Sequence, residues 1–324
     1  GALERGGVET WLLELASHLD PNKWRFDFCT LAPEPGRYAA ALERSGSRVF
    51  SCPRRPSLVA CLARLAKLLR AERYRLVHSH VHHFSALVLA TARAAGVPVR
   101  LAHSHNTADG APDRLARRSY RAATRALLEP AATHTVACSA AAGEALFGPR
   151  RPFEVAPYGV SPARFATRSP ELGRRLGLAA GTPVLGHVGR FVPQKNHAFL
   201  VEVAAAVARR RPQVRWLLVG DGPLRPGVED HARRRGLGEI VRFLGLREDV
   251  AELLPIMDAF ALPSWHEGLP VALLEAQAAG LRALVSDRIT REAAVVSDAV
   301  EFAPLEAGPA AWADRLLALL ARPR

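Results

Sequence analysis

Short, almost unbroken apolar segments recur along this chain. Each is followed by a polar or glycine-containing turn and then by a stretch with helical spacing. "VRLAHS", "THTVACSA", "TPVLGHVG", "VRWLLVGDG", "IVRFLG", "AFALPSW" and "RALVSD" are of the first kind; "NHAFLVEVAAAVARRR" and "EDVAELLPIMD" are of the second. A strand with one wet face alternates apolar and polar residues, whereas a strand covered on both faces reads as a continuous apolar run. Such runs alternating with helices predict parallel sheets with helices on both faces, an α/β fold. "GGVETWLLELASHLD" adds an amphipathic helix, with Val8, Trp11, Leu12, Leu15, Ala16 and Leu19 on one face. "RFDFCTLA" and "YRLVHSH" add strands to the same rhythm.

A length of 324 residues suggests about two domains. "APYGVSPARFATRSPELGRRLGL" is rich in Pro, Gly and Arg and has no apolar period, so the junction is expected there, dividing the chain into 1–165 and 166–324. The chain starts at Gly1 and its one methionine is Met257, so the natural start is expected upstream, with the first domain short of its first strand. No run of about 20 apolar residues predicts a membrane span; "FSALVLATARAAGVPV" is interrupted by Arg93. No signal peptide is visible. The four cysteines form no C-x-x-C pair and read as reduced thiols of a cytosolic protein. The net charge of +13 comes from scattered arginines, as in "ARRRP" and "HARRRG". Without an RNA-binding signature this argues against nucleic acid, and leaves compositional bias or a peripheral contact with an anionic leaflet.

In open α/β sheets, ligands sit outside the carboxyl ends of the strands. The loops there are "ERGGVE", "HSHV", "HSHN", "GRFVPQK", "GDGP", "LGLRED" and "SWHEGLP". In "GRFVPQKNH", Arg190 and Lys195 could clamp a diphosphate, the first through its planar fork and the second as a point charge, or could be two surface cations. Asn196 is expected to cap the helix that follows. In "HEGLPVALLEAQAAG", Glu267 precedes a helix opened by Pro270 and Glu275 lies inside it, roughly 10–12 Å away at helical rise. That spacing suits two ends of one ligand, or a helix-start carboxylate and a solvated one. The amides of Gly268 and Leu269 would favour a phosphate between them. Gly6 and Gly7 would let a ligand approach a helix start, or merely make a tight turn. His78 and His80, and His103 and His105, form two H-x-H pairs at strand ends. No further ligand at familiar spacing follows either pair, so no metal is expected, and hydrogen bonding or structural use is preferred. There is no G-x-S-x-G elbow, no G-x-x-x-x-G-K-[ST] loop and no opening G-x-G-x-x-G, which removes the obvious hydrolase, P-loop and nicotinamide dehydrogenase readings.

Taken in order, "GGVET", "RLAHSHN", "VACSAAAGEALFG", "GHVGRFVPQKNH", "WLLVGDGPLR", "VRFLGLREDV", "LPSWHEGLPVALLEAQAAG" and "LVSDRIT" resemble the retaining GT-B glycosyltransferases of the group 1 (family 4) kind, most of all those of bacterial exopolysaccharide and capsule synthesis. The resemblance implies two Rossmann-like domains facing across a cleft. The carboxyl-terminal domain would hold a nucleotide-sugar donor, UDP-linked in expectation, and the amino-terminal one a saccharide or lipid-linked acceptor. Arg190 and Lys195 would match the diphosphate-binding pair, Glu267 the glutamate at the sugar hydroxyls, and Gly268 and Leu269 the backbone donors beside it. Glu275 would hold the ribose, Leu246 would lie against the base, and Gly6 and Gly7 would flank the diphosphate. His105, or else His103, would be the active-site histidine. No cofactor or metal is expected, and the implied setting is cytoplasmic, peripheral on the inner face of the membrane. An epimerase on the same fold, or a donor-binding protein without turnover, is the alternative.

Overall fold

Every strand pair among the described residues is parallel, as continuous apolar runs require. The computed structural model describes residues 3, 4, 6–108, 114–165 and 167–322. They form two compact units, Gly1–Tyr158 and Gly159–Arg324.

In the first unit, β1 (Phe28–Thr30) pairs with β2 (Val49–Ser51). β3 (Leu76–Ser79), β4 (Val99–Ser104), β5 (His134–Ala137) and β6 (Glu154–Val155) lie side by side in chain order. The register sets His78 beside Leu101 and His103 beside Val136. The helix Gly7–His18 has the predicted apolar stripe, but none of its residues is fully buried. Cys52, Cys61, Leu65, Leu69, Val88, Ala92 and Val97 form a core cluster of this unit. All four cysteines are free thiols, Cys29 exposed and the others buried.

The second unit holds β7 (Val184–Val188), β8 (Arg215–Val219), β9 (Val241–Gly245), β10 (Ala259–Leu262), β11 (Arg282–Ser286) and β12 (Val300–Ala303). Their spatial order is β12-β11-β10-β7-β8-β9. The chain runs outward from β7 to β9, returns to the other side of β7, and runs outward again through β11 to β12. The direction reverses between β7 and β10, which makes their carboxyl ends the switch point where such sheets bind ligands. Trp216 and Trp312 are the largest side chains sealed in the core; the Trp312 indole N–H donates to the Pro304 carbonyl at 3.0 Å.

Three strands escape the sequence pattern. β2, β6 and β12 carry few fully buried residues, so they lack the apolar run that marks the others. The irregular junction segment is ordered by short elements: Phe165 is buried, and Ser169 caps Pro170–Arg175 by accepting from the Leu172 amide at 3.2 Å. Among the described residues no helix is long and apolar enough to cross a membrane.

Candidate active site

The loops that leave β7 and β10 are joined by four hydrogen bonds. The Trp265 amide donates to the Gln194 carbonyl at 2.8 Å. The Gln194 side-chain amide donates to the His266 carbonyl at 2.8 Å and to Glu267 Oε2 at 3.2 Å. Lys195 Nζ donates to Glu267 Oε1 at 2.6 Å. The two charged side chains are largely withdrawn from water, 15 % and 9 % exposed, so the ion pair is formed inside the loops and not on the surface. An ammonium has three N–H donors; with one on Glu267, two remain for oxygens of a ligand. Gly268 and Leu269, buried, follow directly and lead through Pro270 into the helix Val271–Ala278. The helix start, the Lys195 ammonium and the Glu267 carboxylate therefore share one switch-point loop pair.

Glycines bring the flanking loop close. Gly220, just after β8, has φ +132°, and a Cβ there would lie 2.1 Å from the Gly189 carbonyl oxygen. Bonds from Gly189 N to Val219 O and from Phe191 N to Asp221 O, both 2.9 Å, tie "GRF" to "GDG". Arg190 projects from this loop and is exposed.

Two buried histidines line the inner side. His187 Nδ1 meets the Ala261 carbonyl at 2.8 Å, so it carries the proton and Nε2 is left as an acceptor, buried and without a partner. The ring of His197 stacks on Phe191 with centroids 3.9 Å apart. Burial pushes His187 down to about 4, the Ala261 bond opposing it and Lys195 adding to it. Burial, then His187 and Lys195, push His197 down to about 2. Both are neutral at pH 7, which leaves Lys195 as the cation of this face. Because their folded values lie below the ordinary 6.5, the unfolded chain takes up protons first on acidification. Stability of this unit is expected to be flat above pH 6.5 and to fall between 6.5 and about 4, by about 1.4 kcal/mol per pH unit for each histidine. Urea midpoints from pH 7.5 to 4.5 check this. His187→Gln should flatten the slope, and an unchanged slope would remove His187 as its source.

In the first unit the two H-x-H pairs come together. His78 Nε2 lies 3.1 Å from His103 Nδ1, and His80 Nδ1 lies 2.7 Å from His105 Nε2. His105 Nδ1 bonds the Tyr158 hydroxyl. Trp11 packs over the cluster, its ring 5.4 Å from His103, 5.9 Å from His105 and 5.2 Å from Tyr158. Burial is the main cause holding all four imidazoles below the ordinary histidine range.

Of the sequence candidates, Lys195, Glu267, Gly268 and Leu269 lie in one loop pair, with Glu275 half-buried on the helix that follows. Leu246, exposed, follows β9 on the loop beyond Gly245. Gly6 takes extended backbone at the start of the helix that Gly7 opens. Asn196 corrects an expectation: it occupies the cap position in left-handed backbone, φ 55°, and its side chain accepts no capping bond. It also ends the turn Pro193–Lys195, its N–H donating to the Pro193 carbonyl at 3.1 Å. The two H-x-H pairs are in hydrogen-bond contact with each other. Sequence reasoning missed Gln194, Trp11 and Tyr158. The repeated tripeptide "HSH" at two successive strand ends was the available sign that His78 and His80 belong with His103 and His105.

Residues 182–322 match the family model described as glycosyl transferases group 1, and residues 6–159 match the model of the glycosyl transferase 4-like domain. EpsF of Bacillus subtilis (strain 168), which carries a glycosyltransferase name, is 35% identical over 300 residues, 90% of this chain and 78% of that protein. The UDP-Gal:alpha-D-GlcNAc-diphosphoundecaprenol alpha-1,3-galactosyltransferase of Escherichia coli is 31% identical over 286 residues, 82% of this chain and 73% of the other. The crystal structure of HepE from Anabaena with UDP and glucose has a TM-score of 0.81 at 22% identity, over 98% of this chain and 87% of that one; the likeness is one of fold.

Proposed function

Since the chain belongs to the group 1, 4-like glycosyltransferases and has their GT-B fold, we propose that it transfers a sugar with retention from a UDP-linked donor to a saccharide or lipid-linked saccharide of surface polysaccharide synthesis. The observation that carries this reading is the join between the β7 and β10 loops through Lys195 and Glu267 at the switch point. The donor class follows the UDP named for the E. coli relative and in the HepE complex, and the acceptor class follows the lipid-linked acceptor of that relative.

In this reading the free donor hydrogens of Lys195 and the guanidinium of Arg190 take the diphosphate, with the amides of Gly268 and Leu269 beside it. Glu267, steadied by Lys195 and Gln194, receives sugar hydroxyls. Glu275 takes the ribose and Leu246 the base. Gly6 and Gly7 are assigned to the flank of the diphosphate, and His105, or else His103, to the sugar. The bond between the anomeric carbon and the phosphate oxygen breaks, and the nucleoside diphosphate leaves with both electrons. The acceptor hydroxyl forms its bond on the face just vacated and gives its proton to that phosphate. Charge that grows on the leaving oxygen meets cations already in place, the form of help that dominates most such reactions.

A panel of UDP- and GDP-sugars with lipid-linked and soluble saccharides, read by mass spectrometry and by NMR of the anomeric proton, tests the proposal. The expected product has the donor's anomeric configuration. Inverted product would overturn retention; free epimerised donor would overturn transfer; donor protection against heating without product across the panel would leave a binding protein in its place.

A further inference from the structure

We propose that His78, His80 and His103 form a binding site for one transition cation of the Zn²⁺ class. The proposal stands on the first unit alone and does not depend on the transferase reading. One ring nitrogen from each of the three lies within 4.8 Å of the others. In tetrahedral zinc sites with ligands at about 2.0–2.1 Å, neighbouring donor atoms are about 3.3 Å apart. The 3.1 Å between His78 Nε2 and His103 Nδ1 is already such an edge. The spacing is produced by the sheet and not by a local motif. His78 and His80 are two residues apart at the end of β3, as are His103 and His105 at the end of β4, so each pair shares a face. Parallel pairing of the two strands then brings the pairs together.

The surrounding groups complete the argument. A metal-bound imidazole commonly donates its other ring N–H to a neighbour, which fixes its tautomer. His80 Nδ1 faces His105 Nε2 at 2.7 Å, and His105 Nδ1 in turn faces the Tyr158 hydroxyl. With the His80 Nε2 lone pair on the cation, a relay of N–H donors runs from His80 to His105 to Tyr158. His103 Nε2 is buried without a partner, so the ring lacks a second bond that would hold it away from a ligand. Neutral imidazole is the ligating form. Three neutral nitrogens, no carboxylate and a Trp11 wall suit zinc, copper or nickel and disfavour magnesium or calcium, which take oxygen ligands. The fourth position remains for water or an anion.

The full chain, freed of any histidine tag and stripped with a chelator, is titrated with Co²⁺ and then Zn²⁺. The expected result is one Co²⁺ per chain with the intense visible bands of a four-coordinate site, displaced by Zn²⁺. X-ray absorption of the zinc form should show about three imidazoles. His78→Ala, His80→Ala and His103→Ala should each weaken binding about 100-fold. His105→Gln, which alters the partner of His80 and not a proposed ligand, should weaken metal binding about 10-fold. His134→Ala, an exposed histidine elsewhere, should leave it unchanged. A pale six-coordinate cobalt spectrum, a thiolate-rich zinc shell, well under one metal per chain, or equal binding by all variants would overturn the proposal. The spectra of the unaltered chain decide it even if a variant fails to fold.

Discussion

Lys195→Ala is expected to lower kcat/KM for the nucleotide-sugar donor about 100- to 1000-fold, the usual effect of removing one preset electrostatic partner of the transition state. It should also cost stability, for a separate reason. The Glu267 side chain is only 9 % exposed, and without Lys195 its carboxylate loses the ammonium that offsets its burial. About 2 kcal/mol is expected, below the range for a fully buried pair because some exposure remains. The double change Lys195→Ala with Glu267→Gln separates the effects. It should recover most of the lost stability and none of the activity. Urea unfolding and steady-state kinetics on the single and double variants make the comparison. Full activity in Lys195→Ala would remove the diphosphate role.

Gly220→Ala should have a comparable effect on the fold. The added Cβ would sit 2.1 Å from a backbone oxygen, Gly189 O, at a φ of +132° that side chains rarely adopt. No side chain can rotate away to relieve it, so the loop must move. About 3 kcal/mol is expected from strain and overpacking together, a fall in Tm of roughly 6–12 °C for a unit of this size. Donor affinity should fall as well, because the displaced segment carries Gly189 and Arg190. Calorimetry together with donor titration checks both. A variant that melts normally would show that the two loops slide freely, contrary to their bonds at 2.9 Å.

Much of the second unit was legible because its central strands are buried on both faces and its loops carry the glycines and charges. Once β7 and β10 are read as strands, the switch-point rule points to the loops of Lys195 and Glu267. It does not pair them: they are 72 residues apart, and the bridge through Gln194 depends on the turn Pro193–Lys195. Periodicity also failed at β2, β6 and β12, which are short and only partly buried or exposed, and over Pro162–Phe165, too short to have a period. The histidines were visible as residues but not as a group. Each H-x-H pair was weighed by its own spacing, and contact between them, across 25 residues, is made by strand register.

The Lys195–Glu267 contact also governs what these loops will ignore. A solitary ammonium at a helix start would collect chloride, sulfate or orthophosphate from any buffer. Here the adjoining carboxylate cancels most of that attraction and repels small anions that offer it nothing in return. A visitor gains fully only by bringing acidic oxygens for one partner and hydroxyl hydrogens for the other. Selection against the abundant simple salts is thereby built into the resting state of the loops.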